Sequence, residues 1–418
     1  MRTKTQRVRE LLRAYEAPAG QWPMVWERAH GVNVWDAEDR KYIDLTAAFG
    51  VAAAGHANAR VVAAGRQQMG KLLHAMGDVH PHAMKAQLLR ELSRITFERW
   101  TSGAMKAKTM LSNSGFEAVE TALKTAILAT GRPRIVAFHG GYHGLGYGAL
   151  NGTHRAFFRG PFRAQLREFG SFVPFPKAVE DLTGLEKRIR KLLRTKNFGA
   201  ILVEPIQARG GINVPPAGFL PMLRKLCDEY GALLALDEIY TGFGRTGKWF
   251  AAEHSGTIPD LICLGKALTG GFPLSACVGR AELMDKAWPP IKGEAIHTST
   301  FQGHPVGCAM ALAQINEIDT RSLPERSAAM GEYLMQLLRS EIPAPKHSIE
   351  IRGCGLMVGM EIHPSVCALK LVDQMLRREF ILLPEGEFGN VISFTPPLTI
   401  TRAQLSATVQ ALQKSLVL

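Results

Sequence analysis

No stretch of the chain reaches the ~20 consecutive apolar residues that a membrane-spanning helix needs, so neither a membrane span nor a membrane partner is expected. Cysteine is scarce. Cys227, Cys263, Cys277, Cys308, Cys354 and Cys367 lie far apart, with no C-x-x-C pair and no Cys/His cluster at zinc spacing. That pattern argues against a disulfide framework and against a metal site, and reads as the reduced thiols of a cytoplasmic protein. Internal repeats and low-complexity linkers are absent, which excludes solenoids and flexible tethers. Acidic residues are in deficit, 37 against 50 basic ones, giving a net charge of +13. A basic excess can signal nucleic acid. Here it is spread along the chain, and its densest stretches, 2–13 and 186–196, carry apolar residues at helical spacing. Both read as solvated helix faces. No zinc-finger or RNA-recognition signature accompanies the charge, so no nucleic-acid partner is expected. Glu10 and Glu16 argue against an Arg-rich transit peptide.

What is present is an ordinary globular composition, 46% hydrophobic and 21% charged over 418 residues. At ~150 residues per domain this suggests two to three domains. Short apolar runs at 107–112, 134–138, 199–203, 232–236 and 261–264 read as buried strands. Helical patterns at 115–129 and 218–230 separate some of them. Strands alternating with helices predict an α/β fold with a mostly parallel sheet covered by helices. The ends differ. A hairpin at 31–35 and 41–45 opens the chain; helices from about 305 and 322, strands at 349–352 and 356–361, and helices at 364–379 and 401–415 close it. The expectation is a large domain over 61–318 and a smaller α+β domain built from both termini, 1–60 with 319–418.

The segment 232–278 holds most of the chemistry. Gly242-Phe-Gly244-Arg-Thr-Gly247 fits G-x-G-x-x-G, but five residues separate it from the strand and no helical period follows. A dinucleotide fingerprint turns straight from strand into helix, so this reading is rejected. Asp237 ends a buried apolar strand, where a carboxylate needs a partner: a helix cap, a salt bridge or a bound cation. Lys266 follows another buried strand beside a glycine, well placed for a ligand crevice. Lysine can form a Schiff base with an aldehyde, and pyridoxal phosphate needs both a lysine and an acid near its pyridine nitrogen. Ser114, Gly115 and Phe116 follow a strand and open a helix. Ser114 with Glu117 spells a capping box. Beside Lys266 and Asp237, the same backbone N–H groups read as a phosphate site.

With DEIYTGFGRTGKWFA, GKALTGGFPLSA and the order of the other motifs in place, the chain from about 25 to 412 resembles the class III pyridoxal-phosphate aminotransferases of the aspartate-aminotransferase fold (fold type I). The resemblance implies pyridoxal 5'-phosphate as cofactor. Lys266 would bond its aldehyde, Asp237 would pair its pyridine nitrogen, and Tyr142 would stack on its ring. Ser114, Gly115 and Phe116 would hold its phosphate, with Thr300 reaching the phosphate of a neighbouring subunit in a homodimer. Glu204 would line the site. The implied reaction moves an amino group from an amino acid, ω-amino acid or amine donor to a 2-oxo acid, in ping-pong fashion. A racemase, epimerase or aminomutase on the same scaffold is the alternative, and a catalytically silent binding protein a further one.

Four positions depart from the family pattern. Phe116 replaces a small residue. Tyr240 replaces a glutamine beside the cofactor's phenolic oxygen, with its hydroxyl either serving that role or lying elsewhere. Arg209 stands where ornithine-type members carry a glutamate. Ser393 stands where many carry the arginine that binds the substrate carboxylate. Arg209 is therefore expected either to take over carboxylate recognition or to pair with a protein carboxylate such as Glu204.

Overall fold

The computed structural model describes residues 3–17, 23–77, 79–290, 293–342 and 348–416, so Arg2 of the basic N-terminal stretch lies outside the described residues. Its centre is a seven-stranded sheet in the order Ala107–Ser112, Ser275–Arg280, Leu261–Leu264, Leu233–Asp237, Phe198–Val203, Arg134–Phe138, Gly170–Val173. Ser275–Arg280 pairs antiparallel with both its neighbours, and every other pairing between Leu261–Leu264 and the Gly170–Val173 edge is parallel. The five expected strands are all present, within a residue of their predicted limits.

The reason for the continuous apolar runs is visible in the middle of the sheet. All six residues of Phe198–Val203 are buried. Ile201 and Val203 face Leu185, Ile189 and Leu223 on one side. Ala200 and Leu202 face Ala118, Ala122 and Ala126 of the Gly115–Thr130 helix on the other. A strand covered on both faces has no polar alternate positions to show.

Two strands escape the sequence pattern. Gly170–Val173 is a four-residue edge strand, mostly half-buried. Ser275–Arg280 is central but built from small residues. A Cβ on its Gly279 would lie 2.7 Å from Leu261 and 2.8 Å from the Met284 sulfur, so the space admits no larger side chain there.

A separate, smaller α+β domain is made from the chain ends. Trp26–His30, Asn33–Asp36 and Lys41–Asp44 form a meander, and Phe380–Ile381 joins it parallel to Lys41–Asp44. Ser348–Cys354, Met357–His363, Val391–Phe394 and Leu383–Glu385 form a second antiparallel sheet. The rejected G-x-G-x-x-G segment is a run of turns leading into a short 3-10 turn at Ala251–His254. Its Arg245 is fully buried and donates from Nη1 to the carbonyls of Leu356 (2.9 Å) and Pro396 (2.6 Å). This segment therefore ties the large sheet to the C-terminal region. The Asp181–Leu193 helix buries Leu185, Ile189 and Leu193, while Arg190 pairs with Glu186 and Glu229, as a solvated basic face should. Among the described residues no helix is long and apolar enough to cross a membrane.

Candidate active site

The chemistry-bearing residues stand just past the carboxyl ends of the parallel strands, where open α/β sheets form their ligand crevices. Ser114 to Phe116 follow Ala107–Ser112. Tyr142 and His143 follow Arg134–Phe138, and Glu204 follows Phe198–Val203. Asp237 ends its strand, and Lys266 follows Leu261–Leu264. They meet at a cavity of about 370 Å³. Of the residues expected from the sequence, Gly115, Phe116, Tyr142, Glu204, Arg209, Asp237, Tyr240 and Lys266 all line it.

Asp237 is buried, and its Oδ2 lies 2.8 Å from Nδ1 of the equally buried His143. Its Oδ1 accepts from the Ile239 backbone N–H at 3.1 Å. Burial alone would lower the His143 pKa, but the hydrogen bond and charge of Asp237 outweigh it and raise it. Sequence reasoning passed over His143. Its position in FHGGYHG, a Gly-rich loop after a buried strand, was the available signal.

Lys266 takes φ +43°, a conformation rare outside glycine and concentrated at functional sites. Burial pushes its amine down to about 8, against the upward pull of Asp237, Glu204 and Glu385. Glu204 spends both carboxylate oxygens on backbone N–H groups, Tyr142 at 2.9 Å and Ala208 at 3.0 Å. Burial nevertheless pushes its carboxyl up to about 7.

At the Gly115–Thr130 helix, Oε2 of Glu117 accepts from the backbone N–H groups of Asn113 (2.9 Å) and Ser114 (2.7 Å), and from Ser114 Oγ (3.0 Å). The N–H groups of Gly115 and Phe116, in the first turn, have no intrahelical acceptor. A Cβ on Gly115 would press into Ile239 at 3.1 Å. Phe116 is accommodated by a second device. A Cβ on Gly146 would lie 2.4 Å from the Phe116 Cδ2 and 2.7 Å from its Cε2, so glycine there makes room for the phenyl ring. Ser114 and Thr300 do not line the cavity. Thr300 is exposed, in a segment joined to the turn before the Gly115–Thr130 helix by Asn113 Nδ2 donating to Ser299 Oγ at 3.3 Å.

The expectation that Arg209 meets Glu204 is not what the geometry gives. The carboxylate beside Arg209 is Glu385, with Nε to Oε2 at 3.9 Å. Neither atom has a hydrogen-bond partner among the described residues. The guanidinium lies over the Tyr142 ring, 5.1 Å from its centroid. Ser393 is buried in its strand and donates to the Leu383 carbonyl at 3.3 Å.

A half-buried lysine, a buried aspartate and first-turn N–H groups at a helix start line one cavity, the residue types that pyridoxal-phosphate chemistry requires. The class III aminotransferase family model matches residues 14–416. The chain is 38% identical to an acetylornithine aminotransferase of Methanosarcina mazei, over 95% of this chain and 92% of that protein. It is 37% identical to a putrescine aminotransferase of Pectobacterium atrosepticum, over 92% and 81%. It superposes on the ornithine aminotransferase of Toxoplasma gondii with a TM-score of 0.89 at 28% identity, covering 100% of this chain and 96% of that one. The chain belongs to the class III aminotransferases. It is a pyridoxal-phosphate-dependent enzyme that transfers amino groups between amine donors and 2-oxo acids.

The His143–Asp237 pair generates a stability prediction. Removing one partner of a buried pair leaves an uncompensated charge. His143→Phe should lower stability by about 3 kcal/mol, read as a lower urea midpoint at unchanged slope. His143→Gln, which keeps a donor, should recover most of it. A loss below ~1 kcal/mol for His143→Phe would mean that Asp237 is adequately paired without the imidazole.

Proposed function

We propose that Lys266 and Asp237 are the catalytic pair, and that the cofactor lies in the cavity between Tyr142, Ile239 and the start of the Gly115–Thr130 helix. The convergence of Lys266 and Asp237 on one crevice is the observation that carries this reading. When bound, pyridoxal phosphate supplies an aldehyde for the substrate's amino group and a ring that accepts the electron pair released when the carbon–hydrogen bond breaks. Asp237 holds a proton on the pyridine nitrogen, and His143 fixes the orientation of that carboxylate. Gly115 and Phe116 donate backbone N–H groups to the phosphate, with Ser114 at the helix cap beside them. Lys266 moves the substrate proton. With its amine near 8, about a tenth is neutral at pH 7, against about one part in a few thousand for an ordinary lysine. A general base works best with a pKa close to the working pH. Lys266→Ala should abolish turnover and the visible cofactor absorbance while leaving the circular dichroism unchanged. Normal absorbance and turnover in that variant would sink the assignment.

The proposed assembly is a cytoplasmic homodimer, with domains at 61–318 and at 1–60 with 319–418; no nucleic-acid or membrane partner enters the reading. Exposed apolar residues around Thr300 support the dimer. Leu73, Met76, Ile296 and Phe301 are all more than half exposed, and His74 contacts Phe301 edge-on at 5.3 Å. Thr300 would reach the phosphate in the second subunit. Thr300→Ala should then shed cofactor faster on dilution, and sedimentation coupled to assay should find activity in the dimer alone. A fully active monomer refutes this.

For the donor, the proposal is an ω-amino acid whose carboxylate pairs with Arg209. Arginine pairs bidentately with carboxylates and keeps its charge at all working pH values. The unpartnered Arg209 Nε supports a guanidinium with donors to spare. A 5-aminovalerate aminotransferase of Pseudomonas aeruginosa is 37% identical over 92% of this chain and 91% of that protein. The neighbouring Glu385 favours a second reading, in which Arg209 is neutralised and simple amines or diamines enter. Arg209→Ala separates the two. A several-fold rise in KM for carboxylate donors with amines unaffected supports the clamp; an equal effect on both rules it out.

A further inference from the structure

The phenol of Tyr240 is turned away from the cavity. Its Oη lies 3.1 Å from Thr395 Oγ1. Thr395 in turn donates its own hydroxyl hydrogen to the Thr46 carbonyl at 3.3 Å. Thr395 therefore accepts, and Tyr240 donates to it. The Tyr240 proton is committed to the small domain, and the hydroxyl has none to offer a cofactor oxygen. The ring is fixed from a second side by Gly50, whose φ is +79° and where a Cβ would lie 2.9 Å from the Tyr240 Cε1. Held in this way, the ring presents its face to Lys266, whose Nζ lies 3.8 Å from the ring centroid.

We infer that Tyr240 is a positioning residue for Lys266, its π-face holding the lysine ammonium in place and stabilising the charged form. The inference rests on Lys266 being the reactive lysine. A cation over an aromatic face is attracted by the ring quadrupole, most strongly where water is excluded. The other charged groups that bear on the amine are Asp237, Glu204 and Glu385, which favour the ammonium, and Arg209, which opposes it. Burial is the larger influence and drives the amine down. The ring opposes that descent and gives the amine a resting place when the substrate has displaced it. The phenol itself stays neutral, since burial pushes it up to about 12.

The test is the titration of Lys266 in the full chain freed of cofactor. It is read as the pH dependence of its modification by trinitrobenzenesulfonate, followed on the Lys266 peptide by mass spectrometry, with circular dichroism as the check on folding. Wild type should titrate near 8. Tyr240→Phe keeps the ring face and should titrate with wild type. Tyr240→Leu keeps apolar bulk without the quadrupole and should titrate about one pH unit lower. Should Leu fail to fold, Tyr240→Met fills the same space and carries the same expectation. A Tyr240→Leu value equal to or above wild type overturns the role of the ring. A fall in Tyr240→Phe as large as in Tyr240→Leu overturns it too, by moving the effect to the Thr395 hydrogen bond. A wild-type value near that of a free lysine, ~10.4, would instead overturn the reading of Lys266, and this inference with it.

Discussion

The site depends on carboxylates that are buried at the ends of strands and can exist there only if backbone N–H groups or a histidine meet them. Burying an unpaired charge is expensive enough that the group neutralises or the structure changes. Here each carboxylate binds a loop. Glu204 takes the N–H of Tyr142, and Asp237 takes His143, so two neighbouring strands hold one loop, 139–144, at two adjacent residues. Glu238 does the same further out, accepting from Ala251 and Ala252 at 2.9 and 2.8 Å, and so anchors the run of turns that carries Arg245. The loops around the cavity are therefore fixed by the same acids that give it its electrostatic character. Lys266 is the one amine among them, and its depressed basicity follows from sharing their burial.

How much of this could be read in advance follows from what burial does to a sequence. Strands covered on both faces leave uninterrupted apolar runs, and those were legible to within a residue. Lys266 and Asp237 were legible for the related reason that each ends such a run, where a charge is conspicuous. The strand Ser275–Arg280 is interior and as buried as its neighbours, but Gly279 has no room for a side chain, so the run never becomes apolar enough to stand out. His143, Glu385 and Thr395 were not legible as site residues. His143 lies 94 positions from Asp237, and Thr395 lies 155 from Tyr240. The Gly-rich loop after a buried strand could have drawn attention to His143, but nothing local marks either pairing; such pairs exist only once the fold is known.

The departures from the family pattern are each matched by a second residue that the fold brings alongside. Phe116 sits where a small residue is expected, and Gly146 yields the space for its ring. Tyr240 is too large to be a plain substitute for an amide, and Gly50 and Thr395 receive its ring and hydroxyl. Read singly, either position looks like a lost contact. Read with its partner, it is a repacking that keeps the cavity open while changing what faces it.

The same logic governs the charges at the substrate end. Ser393 lacks the cation of the family pattern, and Arg209 supplies one to the cavity from another segment. Ser393 and Leu383 are directly paired across the Leu383–Glu385 hairpin, so the strand that faces the missing arginine also carries Glu385, two residues on. At 3.9 Å, with an unsatisfied atom on each partner, the Arg209–Glu385 pair is too loose to repay the burial of the Glu385 charge, while the Arg209 side chain stays 35% exposed. Burial has already raised the Glu385 carboxyl against the pull of Arg209 and Arg155. A substrate group that satisfied either member would gain from a cost the folded chain has already met, which is the physical basis of the proposed carboxylate clamp.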